Sequence, residues 1–113
     1  MMNILVGSIM LAVALENNPT AAAISEKLPL TVDMAELNGN EKYVYLPFSL
    51  PSNPESVGNI KAGDVMLFGD DCLVIFYQNF KTSYTYTKIG RIEKAESLFE
   101  ILKRGKVSVT FTK

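Results

Sequence analysis

The chain has 113 residues, 48% of them apolar and 20% charged, with a formal net charge of −1. That describes one ordered domain over residues 1–113, not a disordered chain, and leaves no strong field to attract nucleic acid or an anionic membrane. With no histidine and a single cysteine, Cys72, an internal disulfide is excluded and zinc, haem and Cys-His sites lack ligands. No metal and no cofactor are expected.

Residues 1–15 carry no charge, and Ala12-Val13-Ala14 has the small-residue spacing of a secretory cleavage site. The first basic residue is Lys27, so the basic start of a secretory signal is missing. Ile9, Leu11, Val13 and Leu15 alternate with Met10, Ala12 and Ala14 instead, as one strand should. Residues 3–6 and 9–15 therefore form a hairpin across Gly7-Ser8. No run approaches the length of a membrane span, and a cytoplasmic location is expected.

Asn18-Pro19-Thr20 opens a short helix to about Lys27, with Asn18 as the cap and Pro19 at the first turn. Ala21, Ile24 and Leu28 share one side, and Pro29 ends it. Leu30, Val32 and Met34 then alternate with Thr31, Asp33 and Ala35 in a half-buried strand over 30–37. Asn38-Gly39-Asn40 is a strong turn signal before the strand 42–46. Pro47 to Ala62 has the prolines and glycines of a long loop, yet Phe48, Leu50, Val57 and Ile60 tie it to the body.

Two apolar runs flank Gly69-Asp70-Asp71 and form the central hairpin. The second run, Leu73 to Tyr77, has no polar alternation, so both faces of that strand must be covered. Cys72 begins it as a small buried hydrophobe. Residues 78–86 read as a polar-aromatic loop holding Phe80, Tyr84 and Tyr86. Thr87 to Ile92 is a strand interrupted by Gly90, where a bulge or a close backbone approach is expected. Ala95, Leu98, Phe99 and Leu102 mark one face of a second helix, stopped near Gly105. Val107, Val109 and Phe111 alternate in a last strand. Eight strands and two short helices fit a mainly β fold, a closed or nearly closed barrel without exposed edges.

The order of these elements is that of the cyclophilin fold. Tyr86-Thr87-Lys88-Ile89-Gly90-Arg91-Ile92, before the helix at Leu98-Phe99, resembles the cyclophilin segment that ends hydrophobic-Phe-Gly-Lys-Val. The chain is more similar still to the small bacterial cyclophilin-like proteins, which lack the long loops of true cyclophilins. Glu16 to Ala21, Leu28-Pro29-Leu30, Asn38 to Lys42, Ala62-Gly63-Asp64, Ile75-Phe76-Tyr77 and Ile89 to Ile92 carry that resemblance.

Activity is not implied along with the fold. True cyclophilins isomerise Xaa-Pro bonds with an arginine on the third strand and a Phe-Met-x-Gln-Gly-Gly segment around the fourth. Residues 30–37 contain no arginine, Gln78 is the sole glutamine, and the cyclophilin histidine falls near Tyr86. The resemblance also implies a ligand groove on one barrel face. Tyr45, Phe76 or Tyr77, Phe80, Tyr84 and Tyr86 are the candidates to line it, with Arg91 as a candidate donor. A plain barrel core also fits alternate aromatics, Phe68 and Phe76 above all, and a solvated charge fits Arg91.

Asp70-Asp71 fit a hairpin turn, and Glu93, Glu96 and Glu100 fit a solvated helix face. Ser83 has no histidine partner, which rules out a Ser-His-Asp hydrolase. The expected function is binding of a small molecule or an extended, proline-containing peptide in the aromatic groove. The alternatives are a weak peptidyl-prolyl isomerase and a subunit whose apolar patch forms an oligomer.

Overall fold

A computed structural model describes residues 2–113; Met1 lies outside the described residues. The strands are β1 (Met2–Val6), β2 (Ile9–Leu15), β3 (Leu30–Leu37), β4 (Glu41–Tyr45), β5 (Glu55–Ser56), β6 (Asn59–Ile60), β7 (Asp64–Phe68), β8 (Cys72–Phe76), β9 (Phe80–Lys81), β10 (Thr85–Ile92) and β11 (Val107–Thr112). Helix α1 spans Pro19–Ser25, and a 3-10 turn at Ala95–Ser97 runs into α2 (Leu98–Leu102).

Eight strands follow the order β2-β1-β11-β3-β4-β8-β7-β10, and β10 returns to pair with β2. All the barrel pairings are antiparallel, so the sheet closes on itself as the sequence pattern implied. Closure depends on Gly90. The register slips between Lys88 and Gly90 where β10 crosses β7. On its other side Gly90 lies so close to β2 that a Cβ there would sit 2.6 Å from the Ala14 carbonyl oxygen. The bulge and the close approach expected at this glycine are both present.

The helices supply apolar plugs. Asn18 caps α1 by accepting a hydrogen bond from the Ala21 amide at 2.8 Å, and Pro19 occupies the first turn. This presents Ile24 to the barrel core, where Leu98 and Leu102 of α2 also pack. Helix α1 ends at Ser25, two residues before the predicted boundary, and Glu26 and Lys27 form the closing turn. Strand β10 begins two residues earlier than predicted, which places Tyr86 on a strand and not in a loop.

One charged side chain lies wholly inside. Lys42 of β4 is fully buried, and its ammonium donates to Glu36 Oε1 at 2.8 Å and to the Arg104 carbonyl at 2.6 Å. It also donates to the Gly105 carbonyl, so it satisfies the chain that leaves α2. Tyr77 donates its hydroxyl to the same Glu36 oxygen at 2.6 Å, and the Gly39 amide donates to the other. Burial alone would raise the Glu36 pKa, but these donors outweigh it and hold the carboxyl below its ordinary range.

Two substitutions test this frame by chemical denaturation. Lys42→Ala strands a carboxylate and two carbonyls, and is expected to cost on the order of 3 kcal/mol. Gly90→Ala drives a methyl group into the β2 backbone, for a loss of about 1 to 3 kcal/mol. Neutral behaviour of either variant contradicts the packing described.

Candidate functional site

Strand β8 is buried along its whole length. Alternation sends Leu73 and Ile75 into the barrel, while Cys72, Val74 and Phe76 point outward. The outward set would face water but for a second, smaller apolar cluster on the barrel wall. That cluster adds Met66 of β7, Tyr86 of β10 and Ile60 of β6. Ile60 is held there because β6 pairs with β9, Ile60 opposite Phe80. This small ribbon is built from the two segments read as loops, and it covers only part of the wall.

The uncovered part is a groove of about 470 Å³. Tyr43 and Tyr45 of β4 line one side, with Leu37 at the end of β3 and Asn38 of the turn that follows it at one end. Cys72 and Val74 form the floor, and Phe68, Tyr84 and Tyr86 line the far side, with Phe80 and Thr82 beside them. The rings form a connected run. Tyr84 meets Phe68 at 5.9 Å between centroids, Phe68 meets Tyr86 at 5.6 Å, Tyr86 meets Phe76 at 5.4 Å, and Phe76 meets Phe80 at 5.5 Å. Their tilted and edge-on angles are those that aromatic pairs favour.

Of the aromatic candidates, the structure brings Tyr45, Phe80, Tyr84 and Tyr86 to this groove. Tyr45 and Tyr84 are 65% and 62% exposed, so their rings remain available to an occupant. Phe76 lies beneath the groove as fully buried support. Tyr77 is the next residue, so the pleat turns it inward to Glu36 and against Phe99. Arg91 stands apart, at the opposite end of β7 from Phe68. It pairs in register with Asp64, and its guanidinium is 4.0 Å from the Asp64 carboxylate. Phe68, read chiefly as core, is 42% exposed at the groove wall.

The groove also holds a residue that the sequence reading passed over. Glu41 shares its face of β4 with Tyr43 and Tyr45 by simple alternation, yet it is only 8% exposed. No hydrogen bond or ion pair compensates its carboxylate among the described residues, and burial and the charge of Glu36 both raise its pKa. Its field extends across the groove: burial first, then Glu41, pushes the Tyr86 hydroxyl up to about 12. Burial, Asp71 and Glu41 push the Cys72 thiol up to about 11. Cys72 is therefore a neutral thiol near neutral pH, not a nucleophile.

The matched family model is the Cyclophilin-like family, over residues 4–112. The chain belongs to the Cyclophilin-like family. Among solved structures, this cyclophilin-like chain is similar to the solution structure of the hypothetical protein AF2241 from Archaeoglobus fulgidus. The two share 19% identity at a TM-score of 0.63, covering 98% of this chain and 92% of that one. At that identity the likeness speaks for the fold alone. No curated protein matches the chain. Among the described residues no helix is long and apolar enough to cross a membrane, and no group of acidic or cysteine side chains is arranged to hold a metal.

The carboxyls have opposite linkages to stability. Folding raises the Glu41 pKa, so its contribution is complete below the ordinary glutamate pKa of about 4.3 and is lost as pH rises through the raised value. Folding lowers the Glu36 pKa, so its contribution is present above that point and is lost as pH falls through the lowered value. Glu41→Gln is accordingly expected to raise the melting temperature at neutral pH and to remove the upper of these declines. The acid-side decline from Glu36 persists. Thermal unfolding of both proteins across acid to neutral pH checks this, and a less stable Gln variant at neutral pH contradicts it.

Proposed function

We propose that this cyclophilin-like domain is a binding module that takes a small molecule or an extended peptide in the aromatic groove. The observation that carries the reading is the continuous run of rings around a concave site, two of them largely exposed, on a wall otherwise covered by the β6–β9 ribbon. Tyrosines offer an apolar ring and a polar tip, a combination suited to holding a ligand in one orientation. The volume lies within the range of small-ligand sites. A cytoplasmic setting is part of the same proposal, consistent with the single free thiol, Cys72.

Isomerase chemistry has less support. Twisting an amide needs a donor fixed against the peptide, and neither Arg91 nor Gln78 lines the groove. Assembly through this patch is also less favoured, because the exposed rings surround a concavity instead of a flat face.

Amide NMR of the labelled protein, titrated with a small-fragment set and a short Xaa-Pro peptide, tests the proposal. Shifts are expected at residues 41–45 and 80–86, without faster cis-trans exchange in the peptide. Shifts confined to the Arg91 side of the barrel, or none with any probe, overturn the reading. Faster exchange returns it to catalysis.

A further inference from the structure

We infer that the groove selects an organic cation, an amine or quaternary ammonium group seated at Glu41 with the surrounding rings packed on its substituents. This rests on the binding reading above and adds the charge of the occupant.

Glu41 is a largely buried residue whose carboxylate has no ion-pair partner among the described residues. The ion pairs of the described residues are Lys42 with Glu36, Lys88 with Glu55, Arg91 with Asp64, and Lys103 with Glu100; none involves Glu41. The nearest cation in sequence, Lys42, projects to the opposite face of β4 and is held by Glu36 and the carbonyls after α2. The residues lining the groove include no lysine and no arginine, so Glu41 is its single formal charge. A carboxylate on a residue only 8% exposed, lining a largely apolar groove, is partly desolvated, which is unfavourable unless a positive or hydrogen-bonding group meets it.

The rest of the lining is suited to that group. Tyr43, Tyr45, Tyr84, Tyr86 and Phe68 present aromatic surfaces around the carboxylate's groove, and aromatic faces attract cations within about 6 Å of the ring centroid. Tyr43 and Tyr45 meet edge to face at 6.1 Å, which leaves their ring faces in different directions around the opening. A phosphate or carboxylate ligand would meet only Glu41's negative charge. A neutral ligand offers that charge at most an ordinary hydrogen bond, weaker than one from a charged donor. A cation gains from both the carboxylate and the rings.

The test uses three probes of matched shape: benzylamine, benzyl alcohol and benzoate, titrated separately into the labelled protein and followed by amide shifts. Benzylamine is expected to shift residues 41–45 and 82–86 with an affinity roughly tenfold above benzyl alcohol, and benzoate is expected not to bind there. Glu41→Gln is expected to abolish the preference of amine over alcohol while preserving the dispersed spectrum of the folded protein. Equal binding of amine and alcohol in the groove overturns the charge selection and leaves the binding reading standing. Failure of all three probes to shift the groove overturns the charge selection, and the binding reading falls with it only where the fragment set and the peptide also leave the groove unshifted. Retained amine preference in the Gln variant places the selectivity elsewhere and overturns the role of Glu41. The comparison of probes on the unaltered protein decides the matter even where the variant does not fold.

Discussion

A strand that is apolar on both faces needs two apolar layers, and β8 imposes this requirement on the whole molecule. Its inward residues complete the barrel core with Val65, Leu67 and the plugs from the helices. Its outward residues must be covered by something outside the barrel. The chain meets that need with short pieces drawn from its two least regular segments, β6 and β9, which pair over Phe76 and bring Ile60 and Phe80 onto the wall. Two-residue strands cannot span the full wall. The remainder is the groove, a concavity left by incomplete coverage and bounded by aromatic rings.

The neighbouring charges on β4 show how the pleat assigns different work to adjacent residues. Glu41 and Lys42 are one bond apart in the chain but project to opposite faces, so they cannot neutralise each other. Lys42 enters the barrel and meets a complete set of acceptors: a carboxylate and two main-chain carbonyls. This ties the β3–β4 hairpin to the chain leaving α2. Glu41 meets tyrosine rings and a neutral thiol, none of which compensates it. One charge is built into the fold, and the other is held at a cost to the fold.

Much of the barrel was legible because the sequence punctuates it clearly. Gly7-Ser8, Asn38-Gly39-Asn40 and Gly69-Asp70-Asp71 separate runs whose alternation fixes a strand face, and Gly90 announces its own close approach. Parity was harder wherever polar residues gave no reference. In the run Leu73 to Tyr77 nothing in the pattern says which of Phe76 and Tyr77 faces the core, and they face opposite ways. Lys42 was illegible for a different reason: a lysine in a strand reads as surface until its acceptors, more than sixty residues away in Arg104 and Gly105, are brought to it. The β6–β9 ribbon hid among prolines and polar residues because its pairing is long in range and only two residues wide. Glu41 was within reach, since period two places it beside Tyr43 and Tyr45, but its burial depends on the long-range pairing with β8, where it lies opposite Phe76.

Glu41 is a partly desolvated carboxyl without an ion-pair partner among the described residues, inside the aromatic groove. The carboxyl carbon-13 titration of Glu41, assigned against the Gln variant and followed with and without saturating benzylamine, tests this most directly. A midpoint above the ordinary glutamate range is expected in the free protein, with a clear downward displacement when the amine is present. An ordinary midpoint that the amine leaves unmoved contradicts it.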